Sequence, residues 1–392
     1  MKKNTIVRIF ISSGGTGGHI IPARTLANEL YKKGFNVKFL GDYKISNYIK
    51  KDDVFSSKII SSSPIKKSPS FLLKAMLKIS FGIFQSLFLI IRYRPKIVFS
   101  FGGYATFPIL VAAIITNRKI ILHEQNSHLG KVNRIFAKFA TKIATSFPQT
   151  SGINSEFLNK ITLTGNLVRP EIIEIGTKPF LMPNLDVPLA FDENLRMGYN
   201  VLLASDFKET EIKKDFFRIL IIGGSGGAEI FSEILPKTFF NLSDSIKDKI
   251  QIIQQCRESL VESTYLQYCS YNINIVVDKF FENMSELIEK SHLIIARAGS
   301  SSIFEFCAAK RPMILVPFAK SADNHQAKNA AFLEERNAAI VINEKDFVIS
   351  KTTEILRNLI MNEKKLNYLA NNAHQIFQED ALKKLISLID DK

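Results

Sequence analysis

The chain has 392 residues, 46% of them hydrophobic and 23% charged, with 13 prolines and 19 glycines. That excludes long disordered or low-complexity tracts and is too long for one ordinary core, so two domains are expected. The formal charge of +15 comes from lysines scattered along most of the chain; it favours an acidic partner without choosing among nucleic acid, an anionic membrane and a phosphorylated substrate, and a lysine-rich proteome gives the same surplus.

From the N-terminus, "TIVRIFI" reads as a strand that runs into "SSGGTGGH" and a helix from His19 to Lys33. The apolar stretch Thr5 to Ile11 is too short for a signal-peptide core, which leaves a cytoplasmic protein as the expectation. "NVKFL", "KIVFSF", a helix from Ala105 to Ile115 and "KIILH" continue a βαβ rhythm that predicts a parallel sheet. Pro170 to Asp215, with prolines at 170, 179, 183 and 188, reads as a linker with an insertion. The rhythm then repeats in "FRILIIGG", a helix near Ala228 to Asn241, "KIQIIQQC", "INIVV", "HLIIARAG", "PMILVPF" and "AAIVI". The chain ends in the amphipathic "ALKKLISLIDD". Two doubly wound α/β domains are thus predicted: 1–166, a linker over 167–216, 217–373, and a terminal helix over 374–392 that can pack back on the first domain. Cys256, Cys269 and Cys307 form an odd set without CxxC spacing, as expected of reduced thiols rather than a zinc site.

The chain carries a GGxGG turn twice, in "ISSGGTGGHI" and "IIGGSGGA", each directly after a predicted strand. Such a turn leaves backbone amides without a Cβ in the way at a helix start, where they and the helix dipole accept phosphate. The strict dinucleotide fingerprint GxGxxG is absent, since Ile20 and Glu229 stand where its last glycine belongs. One such turn is often only a tight connection; two, each opening one of two similar domains, suit a phosphorylated ligand on each side. Asp42 lies roughly where a NAD enzyme places its ribose-binding acid, which keeps an oxidoreductase open as an alternative. A nucleic-acid-binding protein has no supporting RNP aromatics, helix-turn-helix signature or zinc spacing.

Further stretches converge: "SFGGYATFP" (100–108), "LHEQN" (122–126), "TGNLVR" (164–169), "ARAGSSSIFE" (296–305) and "DNHQAKNA" (323–330). With the two glycine turns, in this order and spacing, they resemble the MurG family of glycosyltransferases, from about Ile6 to Asn343. The resemblance implies two Rossmann-like domains facing a cleft, the GT-B arrangement. It also implies inverting transfer of N-acetylglucosamine from UDP-GlcNAc to the 4-hydroxyl of MurNAc in lipid I, giving lipid II at the cytoplasmic face of the inner membrane. A GT-B enzyme with a different lipid acceptor remains the nearest alternative.

The resemblance implies roles residue by residue. His19 and Glu124 are rival general bases, and Gly15, Gly18, His19 and Tyr104 form the acceptor side. Thr16, Gly17, Gly18, Asn126, Arg169, Ser225, Phe281, Arg297, Ser300, Ser301, Ser302, Glu305, Gln326 and Asn329 contact UDP-GlcNAc. Among these, Glu305 meets the ribose hydroxyls, Phe281 and Arg297 wall the uracil, and His123 lies with Glu124 and Asn126 at a strand end facing the cleft. Each has a plainer reading: Glu305 as an acid complementing a helix dipole, Phe281 as core packing, Gln326 and Asn329 as helix-surface amides, Tyr104 as a buried tyrosine, Arg169 as a surface arginine and His19 as a capping residue. The chain departs from the family pattern at Leu167, Gly226 and Lys279 and in the length of its linker.

No DxD occurs, so no protein-bound metal or cofactor is expected; where Mg²⁺ assists, it does so through a substrate diphosphate. "FLLKAMLKISFGIFQSLFLII" (71–91) has basic neighbours and contains Lys74 and Lys78, and its longest uncharged run, Ile79 to Ile91, is short of the roughly 20 residues of a span. It reads as a helix partly buried on the first sheet, with Phe81, Phe84, Phe88, Lys74 and Lys78 touching an anionic membrane surface. UDP-GlcNAc, a polyprenyl-diphosphate lipid and that membrane are the expected partners, with cell-wall synthesis and division proteins as further candidates.

Overall fold

The computed structural model describes residues 7–65, 68–183, 216–224 and 227–390. Contacts divide the chain into two compact units: Met1–Arg169 with Ser300–Phe304 and Gln378–Lys392, and Pro170–Gly299 with Glu305–Phe377.

In the first unit, chain order runs β1 (Arg8–Ser12), α1 (Gly17–Lys32), β2 (Asn36–Gly41), β3 (Ser56–Ile59), α2 (Pro69–Tyr93), β4 (Ile97–Ser100), α3 (Phe107–Ile115), β5 (Lys119–Glu124), α4 (Lys131–Phe136), β6 (Lys142–Thr145) and β7 (Ile161–Leu163). The seven strands form a parallel sheet in the order β3-β2-β1-β4-β5-β6-β7. β1, β4 and β5 read as near-continuous apolar runs because helices cover both faces of their sheet. On one face Ile9, Ile11, Val37 and Phe39 pack with Ile20, Ala23, Ala27 and Leu30 of α1, spaced to form one helical stripe. The other face joins Phe10, Val98, Ile120 and Leu122 to Ile109, Leu110 and Ala113 of α3.

The second unit begins with α5 (Pro170–Thr177) and continues β8 (Phe217–Ile222), α6 (Glu229–Phe240), α7 (Asp244–Lys247), β9 (Ile250–Gln255), α8 (Val261–Ser270), β10 (Asn274–Asp278), α9 (Met284–Lys290), β11 (Leu293–Ala296), α10 (Ser300–Ala308, whose first five residues group with the first unit), β12 (Met313–Leu315), α11 (His325–Glu334), β13 (Ile340–Val341), α12 (Ile349–Ile360) and α13 (Glu363–Ile376). Its parallel sheet has the order β10-β9-β8-β11-β12-β13. The core gathers Phe217, Ile219 and Ile252 with Phe231 and Leu235 of α6, Leu356 of α12 and Leu366 of α13.

One segment differs from the sequence expectation. Residues 170–177, expected as linker, form α5: a proline suits the first helical turn, and Ile172 and Ile175 are buried. Of the remainder, 184–215 lie outside the described residues. The last helix, α14 (Ala381–Asp390), sends Leu385, Leu388 and Ile389 into the core of the first unit beside α1 and Leu167.

α2 is a 25-residue helix with one buried edge. Gly82 lets its backbone approach the loop before it, since a Cβ there would lie 1.9 Å from the Ser61 carbonyl oxygen; Ser86 and Ile90 are fully buried on the same side. Leu73, Leu77, Phe81, Phe84, Phe88 and Ile91 follow one another at helical spacing and are 59 to 72% exposed. Lys74 and Lys78 are exposed as well. By length and composition alone the helix also meets the requirement for crossing a membrane, with 22% of its most apolar window buried.

Candidate active site

In the first unit the strand order changes direction between β1 and β4, the place where open α/β sheets bind ligands at the carboxyl ends of their strands. β1 runs into the first glycine turn, where Gly15 has φ +88°, a conformation that residues with side chains avoid. Gly14 admits no Cβ, which would lie 2.4 Å from that of Ala105; at Gly103 a Cβ would meet the Gly14 carbonyl oxygen at 2.5 Å. The turns after β1 and β4 therefore pack backbone to backbone. Asp42, buried at the end of β2, accepts a hydrogen bond from the Tyr104 hydroxyl and a long one, 3.5 Å, from the Gly15 amide. Burial, reinforced by Asp42, pushes the Tyr104 phenol well above its ordinary pKa, so it stays a donor. α1 then starts with no acid in its first turn and no side-chain cap from Thr16, which leaves the Gly17 and Gly18 amides to an anion.

His19 stands one turn into this helix start, and its Nδ1 lies 2.7 Å from Gln125 Oε1. The Gln125 amide nitrogen is 2.9 Å from His123 Nδ1, and His123 Nε2 is 3.3 Å from the Gly165 carbonyl oxygen. Burial lowers the His123 pKa to about 4, so that ring is neutral at physiological pH. Glu124 points elsewhere: one oxygen accepts from the Asn126 amide and side chain at 3.1 and 3.2 Å, the other from the Gly130 amide and Asn133 at 2.8 and 3.0 Å. Around this edge the buried polar atoms Ser12 Oγ, Ser13 Oγ, Thr145 Oγ1, Ser146 Oγ and Asn166 Nδ2 have no hydrogen-bond partner among the described residues. A polar lining of this kind suits a ligand rich in hydroxyls and phosphate oxygens.

The second unit builds a similar edge. β8 leads into Gly223 and Gly224, with φ +82° at Gly224 and +64° at Gly227; Ser225 and Gly226 lie outside the described residues. β11 delivers Arg297 into a nearly buried position, where its guanidinium bonds to the Val316 carbonyl at 3.1 Å and to Glu344 at 2.6 Å. That guanidinium lies 5.3 Å from the ring centres of both Phe231 and Phe318. Glu344 uses its second oxygen to accept from the Ala319 amide at 2.9 Å. Burial opposes its ionisation, but that amide and Arg297 outweigh it and hold the carboxyl below its usual range. Gln326 accepts from the Phe318 amide at 2.9 Å, and buried Asn329 donates to the Ala298 carbonyl at 3.1 Å. Asp323 and Asn324, just before α11, both have positive φ, 51° and 55°, a region that Asp and Asn tolerate better than other residues with side chains.

Comparison with known proteins assigns this pair of units. The N-terminal domain model of glycosyltransferase family 28 matches residues 9–145, and the C-terminal domain model of the same family matches 218–386. A Wolbachia protein from Drosophila simulans is 33% identical over 94% of each chain, and one from Novosphingobium aromaticivorans is 30% identical over 98% of this chain and 92% of its own. Both are named UDP-N-acetylglucosamine--N-acetylmuramyl-(pentapeptide) pyrophosphoryl-undecaprenol N-acetylglucosamine transferase. The chain belongs to the MurG family. The crystal structure of Acinetobacter baumannii MurG superposes with a TM-score of 0.71 at 26% identity, covering 98% of this chain and 99% of that one. A Neisseria meningitidis UDP-GlcNAc 2-epimerase, at 12% identity and a TM-score of 0.67, shares the fold alone. The fold is thus GT-B, and the protein is a family 28 glycosyltransferase.

Against this MurG frame, the first unit brings Gly15, Thr16, Gly17, Gly18, His19 and Tyr104 to one edge. His123 and Glu124, expected to face a cleft, are 0% and 1% exposed, and both make internal hydrogen bonds. Asn126 is half-buried beside Glu124, and Arg169 closes the first unit. At the start of α10, where residues 300–304 group with the first unit, Ser300 is buried and Ser301 and Ser302 are half-buried; Glu305, which groups with the second, is 9% exposed one turn later. Phe281 is buried, whereas its neighbour Phe280 is 63% exposed. Asp42, the one residue that kept a NAD enzyme open, is engaged with Tyr104 and the first glycine turn. Sequence reasoning passed over Gln125 and Glu344. Gln125 had a signal, since two residues after His123 along an extended chain it falls on the same side. Glu344 had none.

Proposed function

We propose that this protein transfers N-acetylglucosamine from UDP-GlcNAc to the 4-hydroxyl of MurNAc in undecaprenyl-diphosphate-MurNAc-pentapeptide, with inversion, giving lipid II for peptidoglycan. The observation that carries the reading is relatedness at 33% identity along 94% of the chain to a transferase named for this reaction, joined to a histidine at the anion-accepting start of α1.

His19 takes the proton of the acceptor hydroxyl as its oxygen attacks the anomeric carbon, while the bond from that carbon to the UDP oxygen breaks. Of the rival bases the geometry favours His19, because both oxygens of Glu124 are occupied by donors that hold residues 126–133 in place. Tyr104, whose proton goes to Asp42, offers its oxygen to a hydroxyl of the acceptor, and the amides of Gly15 to Gly18 receive the acceptor's diphosphate. The departing UDP is stabilised by the second glycine turn, Ser225 and the start of α10 at Ser300–Ser302, without a protein-held metal. Glu305 accepts from the ribose hydroxyls, Phe281 and Arg297 border the uracil, and Asn126, Arg169, Gln326 and Asn329 contribute to the donor site. Gln326 and Asn329 do so partly by fixing the backbone at Phe318 and Ala298.

The exposed apolar stripe of α2, with Lys74 and Lys78, docks the enzyme on an anionic leaflet at the cytoplasmic face of the inner membrane, within reach of its lipid acceptor. Cell-wall synthesis and division proteins are its expected partners there.

The test is transfer of radiolabel from UDP-GlcNAc to a lipid I analogue by the purified chain, beside His19→Ala and Glu305→Ala. Label is expected to move with wild type, to stop with His19→Ala while UDP still binds, and to require far more donor with Glu305→Ala. Wild type that binds UDP-GlcNAc yet leaves this acceptor unglycosylated overturns the acceptor assignment; failure to bind UDP overturns the whole reading.

A further inference from the structure

The file of side chains behind His19 has a direction. It ends at the Gly165 carbonyl, which can only accept, so His123 carries its proton on Nε2 and offers a lone pair at Nδ1. The Gln125 amide nitrogen lies 2.9 Å from that lone pair and 3.3 Å from the His123 carbonyl oxygen, a second group that can only accept. Turning the amide over would set its oxygen against both lone pairs; relieving that at Nδ1 would take either a second proton on a fully buried ring or the loss of the Nε2 bond to Gly165, and the His123 carbonyl would still face an oxygen. The amide orientation is therefore fixed, and its oxygen faces His19 Nδ1 at 2.7 Å, a position that only an N–H can fill.

We infer that Gln125 and His123 are positioning residues that hold His19 in the Nδ1–H tautomer and leave Nε2 as the proton acceptor. A histidine in water prefers the opposite tautomer, with its proton on Nε2, which cannot act as a base at that atom. His19 Nε2 has no hydrogen-bond partner among the described residues, and its ring is half-buried. Gln125 and His123 are both fully buried, so the file is shielded from water that would compete for its hydrogen bonds. The inference rests on the reading of His19 as general base, but the tautomer can be measured without any turnover.

The experiment is a histidine ¹⁵N spectrum of the full chain at neutral pH, with His19 assigned by its disappearance in His19→Ala, followed by kinetics of Gln125→Leu and His123→Phe. Expected is a protonated Nδ1 and an unprotonated Nε2 on His19, with the pattern reversing in Gln125→Leu. That variant should lose about 10- to 100-fold in kcat, part of what a general base supplies, with KM for UDP-GlcNAc unchanged. His123→Phe should lose less, and should add nothing in the Gln125→Leu background, because it acts through the amide. A wild-type His19 protonated on Nε2 overturns the inference, whatever Gln125→Leu and His123→Phe do. So does a Gln125→Leu enzyme that raises KM at unchanged kcat. A chain that shows the Nδ1–H tautomer but transfers no sugar refutes the proposed function and leaves the positioning role standing.

Discussion

Arg297 and Glu344 are 47 positions apart in sequence and 2.6 Å apart in the fold, and together they fix the backbone at Val316 and Ala319 beside Phe318. Because the folded Glu344 carboxyl has a lowered pKa, its stabilising contribution is complete above its ordinary value of 4.5 and is lost as pH falls through the lower folded value. Glu344→Gln should therefore melt lower than wild type at pH 7, and the gap should close in that acidic window; melts followed across it give the difference directly. Glu305, 9% exposed, bears on binding rather than stability in the proposed reading. Loss of charged hydrogen bonds to a ribose should raise the UDP dissociation constant about 10- to 100-fold in Glu305→Ala, measured by calorimetry, with kcat affected less. At this scale the sequence was only partly legible. The glycines, His19 and Tyr104 announce themselves through turn chemistry and motif spacing. The occupation of Glu124 by four donors, and the pairing of Arg297 with a glutamate from a distant turn, depend on how loops return to one edge, which no local pattern encodes.

At the scale of elements, β1, β2, β4, β5 and β8 through β13 follow from apolar runs, since central parallel strands must be apolar on both faces; β3, with its four exposed residues, and the short β6 carry no such signal. α5 was hidden by its own Pro170, which reads as a breaker but occupies the first helical turn, where its missing N–H costs nothing. α2 shows the reverse conflict: its sequence is apolar nearly all round, and only packing reveals that Gly82, Ser86 and Ile90 face inward while Phe81, Phe84 and Phe88 do not. Substituting Phe84 and Phe88 with glutamate removes apolar area that would enter a membrane, at about 1.5 to 3 kcal/mol per side chain, and adds repulsion from anionic lipid. The double variant should bind anionic vesicles at least about 100-fold more weakly in a sedimentation assay. Its melting temperature should change little, because the two rings are 72% and 64% exposed already. Equal vesicle binding by the variant and wild type would remove α2 as the docking element.

At the scale of the whole molecule, the first unit is not contiguous in sequence. Its core between the sheet and α1 includes Leu385, Leu388 and Ile389, supplied by the last helix more than two hundred positions after β7. The terminal "ALKKLISLIDD" announces an amphipathic helix, but amphipathicity states only that one face must be buried and not where. The consequence is thermodynamic. Full burial of a leucine or isoleucine contributes about 1.5 to 3 kcal/mol, so these three side chains together rival the whole net stability of a typical domain. Ending the chain after Phe377 should therefore loosen the first unit while sparing the second, whose core draws on Leu366, Leu369 and Ala370 of α13. Hydrogen exchange on the shortened chain should show β1, β2 and α1 losing protection, with β8 and β9 unchanged. The subtler Leu385→Ala should cost about 2 to 5 kcal/mol by cavity formation and reproduce the same regional pattern. Uniform loss of protection across both sheets would instead mean that the two units unfold as one, and full protection of β1 would mean that the terminal helix adds nothing to the core it enters.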